Sequence, residues 1–158
     1  MRAAGRVTAV ALAAALLGGA GPSGADIAVV VHPSNPRSEV SSDELLRILR
    51  MDRQHWEAGH RIYLVIEESG TPERAVLLRR VYRMNDAELK QFWLGKLYRG
   101  EIAAFPRLAP SGAAAKRLVS QAPNAIGFIE AGLLDGSVKA LRIDAKRPGE
   151  DGYMLSPD

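Results

Sequence analysis

The residues best placed to do chemistry are Ser69, Gly70 and Thr71, between the apolar run Ile62 to Ile66 and the pair Pro72-Glu73. The run is expected to be a buried strand and Glu67 to Thr71 a polar turn. A helix follows, with Pro72 and Glu73 in its first turn and Val76, Leu77 and Val81 along its apolar side. A strand that turns through Ser-Gly-Thr into a helix aims free backbone N–H groups and a positive dipole end at whatever lies above it, which suits an anion. The same three residues also make an ordinary capped helix with a flexible entry. On sequence alone both readings stand.

Other candidates carry less. Glu67 and Glu68 are adjacent, so an extended chain points them to opposite sides and they cannot share a substrate; solvated carboxylates are expected. His32, His55 and His60 form no i, i+4 helical pair and have no cysteine partners, so no zinc site is expected. No serine stands in a nucleophile-elbow context, and Gly70 lacks the spacing and the lysine of a phosphate loop. The expectation is a protein without catalytic residues, metal or cofactor. Arg79, Arg80 and Arg83 form a basic cluster that is either a solvated face or a partner surface. Trp56, Phe92 and Trp93 are expected to pack in the core, with Trp56 alternatively on a cleft rim.

Positioning these residues requires a fold, and the first stretch is set aside from it. Arg2 and Arg6 precede the small, apolar run Val7 to Leu17, and Ser23-Gly24-Ala25 is a small-residue cleavage site, so residues 1–25 are expected to be a signal peptide. An uncleaved anchor is the alternative, although the run is shorter than the roughly 20 residues of a membrane span. Removing residues 1–25 leaves roughly 130 residues, one domain's worth. It also removes two arginines, so the formal net charge of +3 overstates how basic the working protein is, and nucleic acid is not expected as a partner. The chain has no cysteine and must rely on its core for stability.

Ile27 to Val31 is a continuous β-branched run of the kind buried on both faces of a sheet. Ser41 caps a helix with Glu44 three residues on and Leu45, Ile48 and Leu49 at helical spacing. Asn85 or Asp86 caps another, carrying Leu89, Phe92, Trp93, Leu94 and Leu97. Arg99 to Pro110 is expected to be a loop, Ser111 to Ala122 a helix, and Ala125–Ile129 and Val138–Ile143 strands. The order β-α-β-α-α-α-β-β argues for an α/β three-layer sandwich around a mostly parallel or mixed sheet, residues 26–145, with a flexible tail over 146–158. In such sheets ligands lie beyond the carboxyl ends of strands, where the Ser69 turn belongs.

Several pieces in order resemble a known family: IAVVVHPSNP, SSDELLRIL, Trp56 and Gly59 before IYLVI, then ESGTPERAVLLRRV, and LVSQAPNAIGFIEAG followed by VKALRID. Together they resemble the phosphate-type periplasmic solute-binding proteins of ABC transporters, and more closely short stand-alone members built as one lobe of a type II binding protein. The resemblance implies oxyanion binding by Ser69, Gly70 and Thr71. The family's ligand arginine falls on Val65 here, and Arg74, one turn into the helix, is the cation that substitutes for it. It implies periplasmic binding of a small anionic or polar solute, phosphate among them, for a membrane transporter or sensor protein. A second copy of the chain, or another protein, would complete the cleft. The alternative is a single-lobe interaction module of a cell-envelope complex that has lost ligand binding.

Overall fold

The computed structural model describes residues 25–157; the expected signal segment, apart from Ala25, lies outside the described residues. Six strands form one mixed sheet: β1 (Ile27–Val31), β2 (Glu39–Val40), β3 (Tyr63–Glu67), β4 (Arg107–Ala109), β5 (Ala125–Glu130) and β6 (Lys139–Ile143). Their spatial order is β2-β6-β1-β5-β3-β4. β1 runs antiparallel to β5 and β6, whereas β2–β6, β3–β4 and β3–β5 are parallel. The short strands β2 and β4 lie where no strand was expected, and both sit at sheet edges.

The apolar runs are continuous because helices cover both faces. Alternate residues of the central strands serve opposite cores. Ile27, Val29 and Val31 of β1 join Leu64 and Ile66 of β3, and Ile126 and Phe128 of β5, in the larger core. Over that core lie α1 (Ser42–Leu49), α2 (Pro72–Leu77) with a π-helical turn at Leu78–Tyr82, and α3 (Asp86–Tyr98). Ala28, Val30, Val65 and Ile129 face the other way, against α4 (Gly112–Gln121). The three-layer α/β sandwich is therefore as the sequence led one to expect.

Each helix start has a local cause. Ser41 and Ser111 accept from the amides three residues on, and Asn85 and Glu88 exchange hydrogen bonds in a capping box. Gly127 in β5 is a packing requirement, since a Cβ there would lie 2.7 Å from Cγ2 of Val119 on α4. Gly127→Ala is expected to cost about 1–3 kcal/mol by overpacking. Chemical denaturation should show a lower midpoint with an unchanged slope, the mark of lost stability without a changed unfolded state.

One expected element differs outright. The segment after Lys146, read as a flexible tail, folds back onto β1. Leu155 is fully buried and Tyr153 nearly so, both within the larger core. The Ile27 amide donates to the Leu155 carbonyl at 2.9 Å, and the Tyr153 hydroxyl donates to the Ile27 carbonyl at 2.9 Å. Of the basic cluster, Arg79 and Arg83 are exposed, as a solvated face requires, but Arg79 and the half-buried Arg80 also donate to the tail carbonyls of Pro157 and Ser156.

Candidate functional site

The carboxyl end of β3 carries the turn. Because β3 parallels β5 and β5 opposes β1, this is also the end where β1 begins and the tail docks. Gly70 takes φ +90°, a conformation that glycine adopts without strain, and this turns the chain from strand to helix. Thr71 is the N-cap of α2: its hydroxyl accepts from the Arg74 amide at 3.2 Å and donates to the Glu68 carbonyl at 2.9 Å. The capping reading of Thr71 is thus realised in the structure.

Ser69 and Arg74 do something else. Both converge on the carboxylate of Asp86, the first residue of α3. The Ser69 hydroxyl donates to Oδ2, and Arg74 Nε donates to Oδ1 at 2.9 Å. Asp86 is free to reach back because Asn85, not Asp86, caps α3. The Ser69 hydroxyl above all holds the Asp86 carboxyl below the usual carboxylate range; desolvation opposes it, and the hydrogen bond and charge of Arg74 add to the lowering. Arg74 is buried, with its guanidinium 5.4 Å from the Trp93 ring centroid and Nη1 donating to the Glu67 carbonyl at 3.3 Å.

Behind the turn stand carboxyl groups. Glu68 is exposed, as expected, but Glu67 is fully buried, contrary to the expectation of a solvated side chain. The reason lies in strand alternation: Glu67 shares its face with Val65, which packs under α4. Neither Glu67 carboxyl oxygen has a hydrogen-bond partner among the described residues. Burial, reinforced by the neighbouring Glu73, pushes this carboxyl up to about 8, with the residue's own backbone N–H dipole and Arg74 opposing. Glu73 is itself buried, in space that Gly112 leaves free; a Cβ on Gly112 would collide with Glu73 Oε1.

The remaining sequence candidates lie elsewhere. Trp56 is nearly buried, donates Nε1 to the Asn124 carbonyl at 3.1 Å and lines a cleft of about 400 Å³ with Arg37 and His60. That cleft lies by the start of β5 (Asn124), at the opposite end of the sheet from Ser69. Among the described residues no three histidine or acidic side chains are grouped to hold a metal ion. No helix among them is long and apolar enough to cross a membrane. Sequence reasoning found Ser69, Gly70, Thr71 and Arg74 together at one strand end; it missed Asp86, treated only as a cap.

No protein-family model and no curated protein matches the chain. Solved structures do. An ABC-type phosphate transport receptor from Vibrio cholerae superposes with a TM-score of 0.68 at 23% identity, over 84% of this chain and 53% of that one. PstS from Borrelia burgdorferi gives 0.65 at 15% identity, over 83% and 54%. A phosphate-bound protein of the phosphate ABC transporter substrate-binding type from Clostridium perfringens gives 0.64 at 21% identity, over 78% and 46%. The chain spans about half the length of these proteins. It has the fold of a phosphate-type substrate-binding protein, over a stretch that fits a single lobe.

Proposed function

We propose that this is a non-catalytic, extracytoplasmic binding protein that presents the Ser69–Thr71 turn to a small anionic or polar solute and works with a membrane transporter or sensor. One observation supports this reading above the others: the Ser69 hydroxyl and the Arg74 guanidinium converge on a single anionic group at the carboxyl end of β3. A hydroxyl and a buried cation aimed at one point are the donors that charge-assisted recognition of an oxyanion uses. Such a site lies where ligands of open α/β sheets are held. The structurally similar proteins are transport receptors rather than enzymes, which is consistent with binding without chemistry.

Calorimetry on the purified chain with phosphate, sulfate and small carboxylates tests the proposal. Saturable heat that disappears in a folded Ser69→Ala/Thr71→Ala double variant is the expected result. Silence with every anion at millimolar concentration would sink solute capture by the chain alone.

A second reading has its own support. The anion that the turn holds belongs to the chain itself, and two carboxyl side chains, Glu67 and Glu73, are buried beside Arg74. These features favour an interaction module that has lost solute binding. Charge reversal at Arg79 and Arg80 cannot discriminate here, because both side chains hold the tail. Silence in calorimetry together with capture of a membrane partner would favour this reading.

A further inference from the structure

We infer that the Ser69–Arg74 site selects a monovalent carboxylate, and that Asp86 is its built-in occupant, a latch that an incoming small carboxylate must displace. This rests on the binding reading above and names the ligand class of that site. Three observations carry it.

The first is the match in shape. A carboxylate has two oxygens in one plane, and each oxygen of Asp86 is met by a different donor, Oδ2 by the Ser69 hydroxyl and Oδ1 by Arg74 Nε. The guanidinium cannot freely turn to suit another geometry. Its Nη1 is spent on the Glu67 carbonyl, its face lies against Trp93, and the side chain is 7% exposed.

The second is the match in charge. Arg74 brings one positive charge, Glu73 stands beside it on α2 and Glu68 in the turn, while the buried Glu67 stays protonated and adds no charge at neutral pH. A single negative charge is neutralised there. A dianion would leave an uncompensated charge beside acidic neighbours, and like charges at short range oppose each other.

The third is the way out. The Asp86 side chain is 40% exposed and lies over the buried Arg74. The helix behind it does not depend on that carboxylate, since Asn85 and Glu88 form the capping box. Rotation of one side chain at the mouth therefore bares Ser69 Oγ and Arg74 Nε to solvent without unwinding α3. A ligand offering the same two oxygens regains both hydrogen bonds; its apparent affinity is lowered by the fraction of time that Asp86 holds the site.

The test opens the latch and asks what enters. The Asp86→Ala variant, shown by thermal melting to fold, is titrated calorimetrically with acetate, formate and inorganic phosphate, beside the unaltered chain. NMR of the Arg74 Nε–H reports whether the ligand reaches the guanidinium. Acetate should bind the variant saturably, at least tenfold more tightly than phosphate does. It should also bind at least tenfold more tightly than it binds the unaltered chain, and adding Ser69→Ala should weaken it severalfold. Should Asp86→Ala not fold, Asp86→Asn keeps the volume without the charge and carries the same comparison.

A folded variant that prefers phosphate, or takes no carboxylate, overturns the inference. The two proposals fail separately. Tight phosphate binding by the unaltered chain removes the latch and leaves solute capture standing. A silent unaltered chain with an acetate-binding variant keeps the latch and removes capture by the chain alone.

Discussion

Glu67→Gln raises stability at alkaline pH and leaves it unchanged in acid. The Glu67 carboxyl is fully buried with both oxygens unpartnered, and burial, with Glu73 beside it, pushes its pKa from 4.5 up to about 8. The sign follows from proton counting. Between those two values the folded chain holds the proton and the unfolded chain has lost it. The unfolded state thus binds fewer protons, and stability falls as pH rises through this window. Glutamine mimics the protonated acid in size and charge but does not titrate.

The difference between variant and parent should therefore be near zero at pH 4. It should grow by about 1.4 kcal/mol per pH unit and level off above pH 8 at on the order of 5 kcal/mol. In thermal melts that is a rise of roughly 10 °C or more at pH 9 for a domain of this size. The pH dependence is what identifies the cause. A gain from better packing would be the same at every pH, and a constant difference between pH 4 and pH 9 would refute the assignment. The result also bears on the site, because a persistent charge at Glu67 would stand behind Arg74 and weaken its hold on any anion.

Why the sequence revealed some of this and hid the rest is a matter of range. β1, β3 and β5 are continuous apolar runs, and that pattern arises when helices cover both faces of a sheet. The caps at Ser41, Thr71, Asn85 and Ser111 are local chemistry within four residues. Ser69, Thr71 and Arg74 share one turn, so their common location was legible as well. β2 and β4 were not, because strands of two and three residues owe their existence to the neighbours they pair with. What the turn faces was equally hidden. Asp86 lies 17 residues from Ser69, and only the packing of α3 against α2 brings its carboxylate to the hydroxyl. The burial of Glu67 had a signal that adjacency masked. Two glutamates side by side look solvated, yet the alternation that buries Val65 also buries the residue two positions on.

Leu155→Ala is expected to remove about 2–5 kcal/mol, the range for emptying a fully buried leucine site. The loss is large because the tail completes the core rather than draping over it. Tyr153 and Leu155 lie in successive turns, with the Tyr153 amide on the Glu150 carbonyl and the Ser156 amide on the Tyr153 carbonyl, and both side chains enter the core that holds Ile27. The backbone there is joined to β1 by the Ile27 amide and the Tyr153 hydroxyl. Two arginines of the π-helical turn hold the carbonyls that follow.

A fall of roughly 10 °C in the unfolding midpoint should follow Leu155→Ala. Tyr153→Phe, which keeps the ring and loses one buried hydrogen bond, should cost about 1 kcal/mol. Hydrogen exchange offers an independent reading: the Ile27 amide should exchange with the global unfolding of the domain in the parent and by local opening in Leu155→Ala. A mobile tail would instead leave both variants within about 0.5 kcal/mol of the parent, as for exposed positions. The consequence reaches the site, since the docked tail and the start of β1 share the sheet end that carries Ser69. Loosening the tail should thus weaken anion binding at a turn whose own residues are untouched.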